Sequence, residues 1–118
     1  MDVMSESSLL RIYVSSTDSI NHKPLYEFIT IEAKKESMAG ATVLRGVMGF
    51  GASSKIHSSK FWELTEKLPM VVEIVDETKK VMQFYETIKP VLDTMPKGIL
   101  VTIEKTGVLM YKSGKVES

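Results

Sequence analysis

Met70-Val71-Val72-Glu73-Ile74-Val75-Asp76-Glu77-Thr78-Lys79-Lys80-Val81-Met82-Gln83-Phe84-Tyr85-Glu86-Thr87-Ile88-Lys89-Pro90-Val91-Leu92 changes its hydrophobic period midway, and that change decides the fold class. Met70 to Val75 is apolar apart from Glu73, as in an interior strand covered on both faces or lying at an interface. From Val81 the apolar positions Val81, Phe84, Tyr85, Ile88, Val91 and Leu92 follow the helical repeat. Asp76 stands where a side chain can cap that helix. Pro90 cannot donate to the Glu86 carbonyl and predicts a kink or a restart.

Upstream, Leu10, Ile12 and Val14 alternate with Arg11 and Tyr13, the period of a strand with one buried face. After the polar stretch 15–23, Pro24 opens a helix at its first position. Leu25, Ile29 and Ala33 follow four apart with Phe28 beside them, and Gly40 is placed to end it. Ala41 to Met48, with Val43, Leu44 and Val47, reads as a second strand running into a glycine-rich segment. Phe61, Leu64 and Leu68 predict a short amphipathic helix that carries the only tryptophan, Trp62, and stops at Pro69. Downstream, Ile99, Val101 and Ile103 alternate as a fourth strand, and Val108 to Tyr111 could form a short fifth.

The order β-α-β-loop-β-α-β-β belongs to the α+β class. It predicts a ferredoxin-like βαββαβ antiparallel sheet with two helices on one face and a long insertion after strand 2. The other face needs a cover. Tyr13, Val71, Val75 and Met110 are apolar residues that two helices leave unshielded, which predicts oligomerisation through the open sheet face. A single domain is expected over residues 8–112, with flexible ends at 1–7 and 113–118.

Composition narrows the function. Cysteine is absent, which removes disulfides and thiolate chemistry and suits a reducing cytoplasm, the expected location. Fifteen basic and fifteen acidic residues cancel, so no whole-molecule field draws the chain to nucleic acid or an anionic membrane. Asp2 and Glu6 lie in a start without an apolar core, unlike a signal peptide. No apolar run reaches the roughly 18 to 20 residues of a membrane span, so no membrane insertion is expected.

Gly46 to Lys60 reads Gly-Val-Met-Gly-Phe-Gly-Ala-Ser-Ser-Lys-Ile-His-Ser-Ser-Lys. Its glycines let backbone N–H groups face an anion, and Ser53, Ser54, Ser58, Ser59, Lys55 and Lys60 add donors for phosphate oxygens. The plain alternative is a flexible surface loop. Gly46 and Gly51 are spaced as in a P-loop, with Ser53 at the magnesium-hydroxyl position, but Ala52 stands where that motif needs lysine. Acylphosphatases of this topology place an arginine in a glycine-rich turn after the first strand, where this chain has Ser15 to Asn21. RNA-recognition domains stack bases on aromatic residues of central strands, and Met70 to Val75 has none, so no nucleic-acid partner is expected.

His22 and His57 lack a paired ligand motif, so no metal site is expected. His22 is placed in the turn before the first helix, and His57 is either solvated or a neighbour of phosphate. Nothing fixes a serine beside a histidine and a carboxylate, so no catalytic residue is assigned. Phe61 and Trp62 either anchor a partner or pin their helix to the core. Met48, Met70, Met82 and Met110 are expected to fill the core, and the Lys34-Lys35 and Lys79-Lys80 pairs to lie on solvated helix faces.

Three segments taken together carry a family resemblance over about Ser8 to Lys112: Ala39 to Gly51, Leu68 to Asp76 and Gly98 to Glu104. The chain resembles the PII-like, or GlnB-like, signal-transduction superfamily in its widespread uncharacterised conserved branch. The resemblance implies a homotrimer without enzymatic activity, in which the second strand enters a mobile T-loop. It also implies that adenine nucleotides bind, as regulatory ligands, in clefts between subunits. By position, the T-loop base is Gly46, Gly49, Phe50 and Gly51, and the second loop is Met95, Pro96, Lys97 and Gly98. Lys97 would reach phosphate as a point charge, and Gly49 to Gly51 would supply N–H donors.

Ser53, Ser54, Lys55, His57 and Lys60 would form the part that docks on a partner and changes its order with ligand. The superfamily's partners include membrane transporters and channels, and genes of this branch often stand beside fluoride-channel genes. The chain departs from the family at Pro96, and at Leu109 to Lys112 where PII proteins carry paired arginines. Fewer cations predict AMP, cyclic AMP or ADP over ATP. The rival expectation is a metal-responsive or purely structural trimer without a nucleotide site, and a third is a minor phosphoryl or acyl hydrolase.

Overall fold

In the computed structural model, which describes residues 6–51 and 67–114, β1 (Ser7–Ser15) buries Leu10, Ile12 and Val14 and leaves Leu9, Arg11 and Tyr13 half-buried. Next comes a small hairpin absent from the sequence expectation, β2 (Ser19–Ile20) and β3 (Lys23–Pro24). Asn21 and His22 form its turn with φ of 50° and 66°, the pair of left-handed residues that a two-residue hairpin requires. Pro24 is therefore paired with Ser19 and caps α1 (Leu25–Lys35) instead of opening it. Leu25, Ile29 and Ala33 are buried, as their spacing predicts.

Gly40 does not end α1. Ser37 takes the left-handed conformation at φ 58°, and the Ser37 and Met38 N–H groups donate to the Lys34 and Ala33 carbonyls at 3.1 and 3.0 Å. This is a Schellman closure with serine in the place usually held by glycine, and Met38 packs back on the core. β4 (Thr42–Arg45) is shorter than the expected strand over Ala41 to Met48. β5 (Pro69–Glu77), α2 (Thr78–Asp93) and β6 (Leu100–Thr106) complete the fold.

The sheet order is β4-β5-β1-β6, and every neighbouring pair is antiparallel. This is the ferredoxin-like arrangement the hydrophobic periods predict. Leu10, Ile12, Val72, Ile74, Leu25, Ile29, Val81, Phe84 and Ile88 form the centre of the core between sheet and helices. Each larger side chain buried there contributes roughly 1.5–3 kcal/mol relative to exposure.

Several local expectations are corrected. α2 runs through Pro90 to Asp93 without a restart. The carbonyl deprived of its donor belongs to exposed Glu86, where water can replace the bond. Asp76 is not the helix cap; that position is Glu77, which makes no side-chain cap bond. Asp76 is 2% exposed and accepts from Glu77 N–H at 2.7 Å and Ala39 N–H at 2.8 Å, tying the α1–β4 connection to the head of α2.

Lys80 is likewise not merely solvated, since its ammonium donates to the Ser37 carbonyl. Residues 108–111 form no strand; Tyr111 Oη donates to the Ala39 carbonyl at 2.8 Å, drawing the segment after β6 towards the α1–β4 connection. Of the four methionines expected in the core only Met70 is buried, while Met48, Met82 and Met110 are exposed. Ile103 is also exposed, because β6 is an edge strand. Phe61, Trp62 and Leu64 lie outside the described residues.

Candidate functional site

All four long strands have an end at one side of the sheet. Arg45 closes β4, Pro69 opens β5, Ser15 closes β1 and Leu100 opens β6. Register aligns them: Arg45 faces Met70, Pro69 faces Ser15, and Tyr13 faces Leu100. Gly46 N–H donates to the Pro69 carbonyl at 2.7 Å and extends the β4–β5 ladder by one bond. That donor is engaged in the sheet and does not face an anion. Across the next junction, Ser16 N–H donates to the Leu68 carbonyl at 2.8 Å and Leu68 N–H to Ser16 Oγ at 3.1 Å. Asp18, buried in the β1–β2 turn, accepts from Ser15 N–H at 2.8 Å.

The glycines here are needed for space. None has a positive φ, so their backbone conformation is open to other residues. A Cβ on Gly46 would strike the Pro69 ring, and one on Gly49 would lie 3.1 Å from the same Cγ. At Gly51 a Cβ would meet open space. The segment 46–49 thus folds closely over the Pro69 ring, and Val47 and Phe50 beside it are exposed.

Lys97 and Gly98 stand at the same end of the sheet, before β6. The Lys97 ammonium donates to Thr17 Oγ1 at 2.9 Å, so it is anchored beyond β1. Gly46 follows β4 and Lys97 precedes β6, so their backbones flank opposite edge strands, three strand spacings of about 4.8 Å or roughly 14 Å apart, while the Lys97 ammonium reaches inward to Thr17. Within one chain the expected nucleotide residues form two clusters, Gly46 and Gly49 against Pro69, and Lys97 and Gly98 before β6. Ser53, Ser54, Lys55, His57 and Lys60 lie outside the described residues.

A residue that the hydrophobic reading passed over lies next to the first glycine. Arg45 is exposed and makes no ion pair or hydrogen bond among the described residues. Its signal in the sequence is a cation directly before the glycine segment, hidden by the apolar positions Val43, Leu44 and Val47 around it.

Beside Lys97, a groove of about 260 Å³ is lined by Tyr85, Lys89, Asp93, Lys97 and Ile99 among others. There the hydrogen bond to Asp93, 2.9 Å away, holds the Lys89 ammonium above the usual lysine pKa. A larger open groove of about 400 Å³ lies elsewhere, between Ala39–Thr42 and Val108–Tyr111 over Leu9 and Val75.

On the face away from the helices, Leu44, Val71, Tyr13 and Leu100 form one row across all four strands. Leu44 and Leu100 are 46% and 57% exposed, an apolar stripe in need of cover. In the adjacent row Arg11 bonds Glu73 at 2.9 Å and Glu104 at 2.5 Å. The hydrogen bond to Glu73, then that to Glu104, raises the Arg11 pKa above its ordinary value. Among the described residues no three His, Cys, Asp or Glu side chains come together, and His22 sits in the β2–β3 turn. Among them, too, no helix is long and apolar enough to cross a membrane.

The sequence pattern of the DUF190 family, Uncharacterized ACR, matches residues 7–108. A UPF0166 protein of Aquifex aeolicus is 40% identical over 84 residues, covering 71% of this chain and 80% of the relative. A UPF0166 protein of Methanocaldococcus jannaschii is 29% identical over 90 residues, covering 73% and 82%.

Among solved structures, a Thermus thermophilus protein described as PII-like superposes with a TM-score of 0.59 at 14% identity, covering 88% of this chain and 90% of the other. CPII from Thiomonas intermedia K12, solved with ADP, AMP and acetate, superposes with a TM-score of 0.56 at 15% identity, covering 88% and 91%.

Proposed function

Since the chain belongs to the DUF190 family and has the PII-like ferredoxin fold, we propose that it is a regulatory, non-enzymatic protein that binds a small adenine nucleotide between subunits. One observation carries this reading: the two predicted halves of the site lie at the same end of the sheet but beside opposite edge strands. The two edges are different surfaces, so joining β4 of one copy to β6 of the next is a head-to-tail contact, which forms a ring when the rotation between copies closes. In the trimer that the family resemblance implies, Gly49 to Gly51 of one copy would stand beside the next copy's second-loop lysine. It would also give the Leu44–Val71–Tyr13–Leu100 row an apolar neighbour.

The ligands named for CPII, ADP and AMP, support an adenine nucleotide as the class. AMP, cyclic AMP or ADP is favoured over ATP by the absence of arginine from residues 109–112. Residues 52–60 would carry the signal to a partner, with a membrane transporter or channel as the family resemblance suggests.

Calorimetric titration of nucleotide-stripped protein with AMP, cyclic AMP, ADP and ATP tests the reading. Saturable binding of one of them, weakened by both Gly49→Val and Lys97→Ala, is expected. Absence of binding by all four would overturn it in favour of a structural or metal-responsive assembly.

A further inference from the structure

We infer that Arg45 is a phosphate-binding residue of this site and makes ADP bind more tightly than AMP, an inference that rests on the nucleotide reading and adds a residue to it. The chain has only two arginines, Arg11 and Arg45. Arg11 is held between two carboxylates, Glu73 and Glu104. Arg45 is exposed and has no carboxylate among the described residues. A planar fork of donors without a carboxylate suits a phosphate, which it can grip through two parallel hydrogen bonds where lysine offers a point charge.

Its placement points the same way. Arg45 ends β4 directly before the segment that folds over Pro69, and the first backbone donor of that segment, Gly46 N–H, is engaged with the Pro69 carbonyl. The guanidinium is therefore the donor group that the strand end itself contributes. The register that sets Arg45 opposite Met70 and Leu44 opposite Val71 puts the two side chains on opposite faces. Leu44 joins the apolar row, while Arg45 stays off the face that the ring covers.

Charge at this end of the sheet favours an anion. Lys67 lies two residues before β5 and Lys97 three residues before β6, while the carboxylate of the adjoining turn, Asp18, is buried against Ser15 N–H. Arg45 thus supplies an arginine that the segment after β6 lacks, and ADP becomes a better ligand than AMP.

The test is calorimetric titration of the full chain, Arg45→Gln and Arg45→Lys with adenosine, AMP, ADP and inorganic pyrophosphate. Thermal unfolding confirms that the exposed substitutions leave the fold intact. Wild-type affinity should rise from adenosine to AMP to ADP. Arg45→Gln should weaken ADP roughly ten-fold or more while leaving adenosine unchanged, and Arg45→Lys should recover part of the loss.

Unchanged ADP and pyrophosphate binding in Arg45→Gln would overturn the inference, as would an equal loss for adenosine and ADP, which marks a structural role. If the wild type binds pyrophosphate but no adenine ligand, and Arg45→Gln loses it, the nucleotide reading fails and the Arg45 phosphate site stands. Binding of neither retires both.

Discussion

Replacing Gly46 by alanine tests the close approach that shapes the loop base. The new Cβ would strike Pro69 Cγ and lie 3.2 Å from the Pro69 carbonyl oxygen. The ring cannot simply turn away, because Pro69 is paired with Ser15 and its carbonyl accepts Gly46 N–H. Overpacking of this kind costs roughly 1–3 kcal/mol. Against it stands the gain of about 0.4–1 kcal/mol from restricting the unfolded chain, available because no glycine here has a positive φ. The balance for Gly46→Ala is a loss of about 1–2 kcal/mol.

At Gly49 a Cβ lies 3.1 Å from the same ring atom, a contact relieved by a few tenths of an ångström, so the two effects nearly cancel. At Gly51 the space is open, and alanine should be neutral or stabilising. Urea unfolding at one fixed protein concentration should therefore rank Gly46→Ala below Gly49→Ala, and that below Gly51→Ala. In a double-mutant cycle Pro69→Ala removes the atom that is struck, so it should rescue Gly46→Ala with a coupling of about 1–2 kcal/mol. Equal stability of the Gly46 and Gly51 variants, or a cycle without coupling, would refute the reasoning.

Two further outcomes follow from the fold. Asp76→Ala leaves the Ala39 and Glu77 N–H groups without their acceptor and should cost about 2–4 kcal/mol in urea unfolding, with faster hydrogen exchange at Ala39. Asp76→Asn, which keeps one carbonyl acceptor, should lose less. Tyr13→Asp sets a charge in the apolar row and should shift the proposed ring towards monomer in analytical ultracentrifugation; an unchanged sedimentation profile would exclude that face as an interface.

The helices and central strands were legible because burial repeats. Val81, Phe84, Ile88 and Leu92 declare one helix face, and Leu10, Ile12 and Val14 one strand face, without knowledge of their neighbours. The ends of elements were less legible. Ser37 ends α1 because two N–H groups reach back to Lys34 and Ala33, a backbone event that Gly40 obscured. Asp76 looked like a cap by position, yet its second oxygen is taken by Ala39, thirty-seven residues away in the chain. The methionines misled because helical or alternating spacing says nothing about an edge strand or an exposed connection.

By itself, then, the sequence determined the α+β order, the core and the glycine segment as the place to look for a ligand, since these depend on local period and residue chemistry. Tertiary structure decided the rest. It closed Gly46 and Gly49 on Pro69 and engaged the Gly46 N–H with the Pro69 carbonyl instead of leaving it for an anion. Among the described residues it left Arg45 without a carboxylate where Arg11 has two, and it anchored the Lys97 ammonium on Thr17, beyond the end of β1. Which donors remain available, and how far apart they stand, depends on strand order and register, and these arise only when residues distant in sequence compete for the same partners.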